Sequence, residues 1–99
     1  MAEKSSLLEE QKTQYKKPKM YRVILLNDDY TTMEFVVEVL MRVFHKNATE
    51  ATKIMMDVHE KGKGIVGVYT YDIAFTKITQ VEDMAMQRDF PLRAVMEEE

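Results

Sequence analysis

Residues 23 to 35 read VILLNDDYTTMEF, a run of aliphatic side chains that stops abruptly at an amide and two carboxylates. β-branched and aliphatic residues favour a strand, so a strand ends here. After the acidic pair, Thr31 is placed to cap a helix through its hydroxyl, with Glu34 three residues on reaching back to the free amide. The unpaired amides of that first helical turn and the side chains of Asn27, Asp28 and Asp29 then crowd one strand-to-helix corner. Such a corner is rich in donors and acceptors and suits a small polar or charged ligand.

Working outward, the strand begins at Met20, just after Pro18, and puts Tyr21, Val23 and Leu25 on one face. On the other side of the corner, Met33 to His45 is polar only at Glu34, Glu38, Arg42 and His45, one narrow stripe down a helix that is otherwise apolar. Such a helix is nearly surrounded, or keeps part of its surface for a partner. Asn47 and Glu50 form a second capping pair, and Ala51, Ile54, Met55 and Val58 recur at helical spacing up to a stop at Gly62. Lys61 in the last turn suits the negative end of the helix dipole. Gly64 to Tyr69 reads as a second strand. Thr70 or Asp72 caps a third helix with Ala74, Ile78, Val81 and Ala85 inward, and Leu92 to Met96 makes a last strand after Pro91. The order is β-α-α-β-α-β. It predicts an α+β single domain over residues 20 to 99, a three-stranded antiparallel sheet with three helices on one face.

Residues 1 to 19 hold only Leu7, Leu8 and Tyr15 as sizeable apolar groups, too few to offset the entropy of ordering them, and predict a flexible N-terminal tail. Subtracting it from 99 residues leaves about 80 to build one modest core. A formal charge of −3 argues against general nucleic-acid binding, and no segment has the apolar length of a signal peptide or membrane span. A cytoplasmic protein is the expectation, and with no cysteine there is neither a disulfide nor a thiolate site.

Catalysis finds little support. Ser5 and Ser6 lie in the tail, outside any nucleophile elbow, and Gly62-Lys63-Gly64 lacks the length and the Lys-Ser/Thr of a phosphate loop. His45 and His59 stand on different predicted helices, and the Asn-Asp-Asp corner lacks the alternating ligands of a calcium loop, so neither metal nor other cofactor is expected. His45 continues the polar stripe. His59 is the more suggestive, four residues after Met55 and beside Val58 at the border of an apolar face. Nine methionines exceed what packing needs, and flexible, polarizable methionine lines adaptable apolar pockets.

These residues carry a resemblance. YRVILLNDDYTTMEFVVEVL, ATKIMMDVHEKG, GVYTY and Pro91-Leu92 together span residues 20 to 96 and resemble the ClpS family, bacterial adaptors of the Clp AAA+ proteases. The resemblance implies a recognition module and not an enzyme. It would bind N-degron substrates that begin with Leu, Phe, Tyr or Trp and hand them to the N-domain of a ClpA or ClpC unfoldase, working with ClpP. Carried over by position, Asn27, Asp28 and His59 would contact the substrate's α-amino group, with Asp29 and Thr31 beside them. Met33, Val36, Met55, Val58 and Leu92 would wall the apolar pocket. The chemistry agrees, since a cationic amine needs acceptors and a bulky side chain needs an adaptable slot. Asp72 and Lys77 match the family's unfoldase-docking positions. Two departures stand out: Phe75 where a small or acidic residue is more usual, and Thr32 where proline is frequent. The alternative is a small interaction domain that binds an internal peptide or helix through the apolar first helix, the polar corner being structural.

Overall fold

Strand β1, Met20–Leu26, is the middle of the sheet, in the order β2-β1-β3, with β2 at Lys63–Thr70 and β3 at Arg93–Glu98 both antiparallel to it. These relations come from a computed structural model that describes residues 17–99. The expected tail, save Lys17 to Lys19, lies outside the described residues. Helices α1 (Met33–Arg42), α2 (Ala48–Lys61) and α3 (Tyr71–Gln87) complete the predicted β-α-α-β-α-β order and cover one face of the sheet.

Val23 and Leu25 are buried beneath the helices, where Phe35, Val39 and Leu40 of α1, Ala51 and Val58 of α2, and Ala74, Val81 and Ala85 of α3 close over them. Burial of that kind is the main favourable term in a domain this small. Ile24 is buried too, on the opposite face, because Ile65 and Val95 flank it in the paired strands. The register slips between Val23 and Ile24, which pair with Gly67 and Ile65, so Val66 is an extra residue in β2. This bulge resets the side-chain phase: Val66 is buried while Ile65 and Val68 are both exposed.

The helix ends show where local rules held and where they did not. On α2, Asn47 accepts from the Glu50 amide at 2.8 Å while Glu50 accepts from the Asn47 amide at 3.1 Å, the predicted reciprocal cap. Gly62 ends the helix with φ 87°, as a residue without Cβ readily does. On α1, the cap is Thr32 and not Thr31: the Thr32 hydroxyl accepts from the Phe35 amide at 3.1 Å. Thr31 is instead committed to Asp28, a carboxylate being the stronger acceptor. The expected Thr31–Glu34 box is therefore not formed.

The polar stripe of α1 is also shorter than predicted. The helix stops at Arg42, and His45, exposed, takes φ 56° as the chain turns toward α2. Lys77 meets the chain at this point. Its ammonium reaches from α3 to donate to the Val43 carbonyl at 2.8 Å, at the negative end of α1, and lies 5.7 and 5.6 Å from the ring centres of Phe44 and Tyr69. Replacing Lys77 with Met should lower stability by about 2 kcal/mol, the scale of a charged hydrogen bond, read as a lower urea midpoint. A midpoint equal to wild type would remove this role. Farther along α1, the hydrogen bond from Arg42 to Glu38 (3.0 Å) holds that carboxyl below its ordinary range. Arg88 at 2.9 Å assists and ties α1 to the end of α3.

Candidate functional site

The corner between β1 and α1 is built around Asp28. Its Oδ1 accepts from the amides of Tyr30 (2.8 Å) and Thr31 (2.7 Å), and its Oδ2 accepts from the Thr31 hydroxyl at 2.7 Å. Partial burial alone would raise this carboxyl. The Thr31 hydroxyl and amide, then the Tyr30 amide, outweigh it and hold the group below the usual aspartate value. Asp28 is thereby a fixed, ionised acceptor. The Asn27 amide donates to the Gly62 carbonyl at 2.9 Å, which pins the corner to the end of α2 and so brings His59 across from it.

Between these elements lies a cavity of about 500 Å³. One side is polar: Asn27, Asp28, Asp29, Thr31 and His59, all expected there, joined by Thr32 and Glu34. The other is apolar, with Met33 and Val36 from α1 and Met55 and Val58 from α2. Met33, the first residue of its helix and 42% exposed, stands at the rim, whereas Val36 and Val58 are buried walls. Leu92, named as a fifth wall, is 3% exposed within the core and does not line the cavity. Sequence reading missed Thr32 and Glu34 because it assigned the cap one residue early. Placing the cap at Thr32 puts both in the first turn facing the corner.

Among the described residues, three carboxylates and no Lys or Arg line this cavity, so its polar end favours a cation and its apolar end a hydrophobic side chain. The walls depend on a close approach behind them. A Cβ on Gly64 would come within 2.8 Å of Val58 Cγ2 and 3.0 Å of the Ile54 carbonyl oxygen. Neither neighbour yields easily, one being a β-branched side chain in a helix and the other backbone. Gly64→Ala should therefore destabilise by about 1–3 kcal/mol and weaken ligand binding, both measurable by thermal shift with and without peptide. An undisturbed variant would mean that α2 moves freely on the sheet.

Asp72 and Lys77, expected to dock a partner, line one shallow groove of about 420 Å³ with Arg42, His45 and Ile73. Asp72 is exposed there, while the Lys77 ammonium is engaged by the Val43 carbonyl and two rings. Phe75 is exposed and stacked on Tyr71, ring centres 6.2 Å apart.

Residues 16–95 match the family model of the ATP-dependent Clp protease adaptor protein ClpS. The chain belongs to the ClpS family. Among its relatives, the ClpS adapter of Acetivibrio thermocellus is 67% identical over the full length of both chains. That of Syntrophus aciditrophicus is 65% identical over 82% of this chain and 76% of its own. A solved structure of Agrobacterium tumefaciens ClpS2, bound to L-phenylalaninamide, superposes with a TM-score of 0.81 at 42% identity, covering 84% of this chain and all of the other. A ClpS protein is an adaptor of the Clp protease and not an enzyme. It works by holding other polypeptides, and among the described residues no helix is long and apolar enough to cross a membrane.

Proposed function

We propose that this ClpS protein holds N-degron substrates by their first residue, when that residue is Leu, Phe, Tyr or Trp, and passes them to a Clp AAA+ unfoldase. The α-ammonium group sits among Asn27, Asp28 and His59, with Asp29 and Thr31 beside it, and the side chain enters the slot between Met33, Val36, Met55 and Val58. Leu92 supports that wall from within the core. The observation that carries this reading is the pairing of a carboxylate-rich polar end with an apolar wall in one cavity. The relative bound to L-phenylalaninamide supports it, because that ligand joins a free α-amine to an aromatic side chain and has an amide in place of the carboxylate, as the first residue of a chain does. The deciding experiment is calorimetric titration with short peptides that differ only in first residue and N-acetylation.

The docking partner in this proposal is the N-domain of a ClpA or ClpC unfoldase in the cytoplasm, with ClpP downstream, met at the α3 groove by Asp72, which is exposed, and Lys77. Residues 1 to 19 serve delivery, and not peptide binding, in the same proposal. Deleting residues 1 to 17 should leave peptide affinity nearly unchanged while impairing degradation of a Leu-initiated reporter. A tenfold loss of binding, about 1.4 kcal/mol, would make the tail part of the site instead. The alternative, capture of an internal helix by α1, loses support because Phe35, Val36, Val39 and Leu40 are spent on the protein's own core.

A further inference from the structure

Beside the amine cavity, Tyr30, Met86, Asp89, Phe90 and Pro91 line a second depression of about 500 Å³. Tyr30 is 77% exposed and Met86 73%, two large side chains from separate parts of the chain that line the same depression. The ground beneath them is firm. Asp89 takes φ 59° at the end of α3, where its amide donates to the Met86 carbonyl at 3.2 Å and the Phe90 amide to the Ala85 carbonyl at 2.9 Å. That closed turn sets the half-buried Phe90 ring 5.0 Å from Phe35, whose neighbour Val36 walls the amine cavity.

The geometry points to this depression as a subsite for an apolar side chain at the third residue of the bound peptide. The inference rests on the proposal that the first residue fills the amine cavity. Tyr30 joins the two sites: its neighbours Asp29 and Thr31 line the first, it lines the second, and its amide is fixed to Asp28. In an extended chain, side chains alternate, so the first and third point the same way, roughly 7 Å apart. With the first side chain buried in the cavity, the second faces solvent and the third returns to the protein surface. One tyrosine side chain spans a comparable distance from the corner. Flexible methionine and the faces of Tyr30 and Phe90 offer an adaptable apolar seat without a charged anchor, apart from Asp89 at the rim. Five residues are too few to seat a second copy of the chain, which needs about 20 or more on each side.

Calorimetry with Leu-Ala-Ala, Leu-Ala-Phe and Leu-Phe-Ala peptides of equal length tests this on the full chain. Phe at the third position should tighten binding roughly fivefold to tenfold over Ala, and Phe at the second should not. Met86→Gln, at an exposed position outside the amine cavity, should keep the Leu-Ala-Ala affinity within about twofold and lose most of the third-residue gain. The Met86 methyl resonance should also shift on binding Leu-Ala-Phe, under the ring current, and not on binding Leu-Ala-Ala. Equal affinity for Leu-Ala-Phe and Leu-Ala-Ala in the wild type, an equal gain from the second position, or a gain that survives in Met86→Gln would each overturn the subsite. If no free-amine peptide binds the folded protein, the amine reading fails first and the subsite falls with it.

Discussion

A Leu-initiated peptide should bind the cavity, and the same peptide acetylated at its amino terminus should show no measurable heat of binding. The free α-amino group is protonated below about pH 7.7–8.0 and donates three hydrogen bonds, whereas the acetamide is neutral and has one donor. Asp28, Asp29 and Glu34 line the polar end, with no Lys or Arg lining it among the described residues, so a neutral, bulkier group loses both charge and fit there. The pH profile follows from the same groups. On the alkaline side, affinity should fall as the ammonium loses its proton. On the acid side, Asp28's carboxyl is depressed in the folded protein, so its contribution to stability and to amine binding is present above the ordinary aspartate value. That contribution is lost only as pH falls through the lowered folded value. Asp28→Ala or His59→Ala should each cost about 1–3 kcal/mol of binding, the scale of a hydrogen bond to a charged group. Equal affinity for free and acetylated peptides would falsify the amine reading outright. An unchanged affinity in His59→Ala would clear the histidine alone.

The wild type should reject N-terminal Ile and Val, and Met33→Ala should admit them. Met33 opens α1 at the rim of the cavity, beside the polar corner proposed to hold the amine. A side chain branched at Cβ carries its extra methyl next to that amine, where the Met33 thioether stands. A misplaced methyl is worth about 1–3 kcal/mol in a tight apolar site, or 10-fold to 200-fold in affinity. Truncation to Ala removes the obstruction, and because the residue is partly exposed, it leaves no sealed void in the core. Titrating Leu, Ile and Val peptides against both proteins gives the readout: the ratio of Leu to Ile affinity should collapse toward unity in the variant. A ratio equal to the wild type's, in a protein that still melts cooperatively, would take Met33 out of the gate.

Much of this was legible in the chain because the signals were local. The reciprocal Asn47–Glu50 cap, the stop at Gly62 and the alternation of Tyr21, Val23 and Leu25 each depend on residues a few positions apart. The polar side of the cavity was legible for the same reason, since Asn27 to Thr31 are consecutive. What escaped was decided across the fold. Thr31 and Thr32 are equally good caps on paper, and only the geometry of Asp28 assigns one to the turn and the other to the helix. At the early end of α1, the Val43 carbonyl is met by a lysine 34 positions downstream. Ile24 is buried by two strands that both come much later in the chain, and the slip in β2 changes which side chains face out, with Gly67 beside it giving no sign of which residue is the extra one.

The slip at Val66 has one more consequence, because β2 is an outer strand. A regular outer strand offers a row of free amides and carbonyls to any extended chain, and a protein whose work is to hold unfolded polypeptides meets such chains continually. The extra residue breaks the even spacing that a newcomer would have to match. Under the proposed function, traffic is then confined to free amino termini at the cavity, and the irregular sheet margin does not compete for cargo in mid-chain. An extended apolar peptide with a blocked amino terminus should accordingly leave the amide resonances of β2 unmoved.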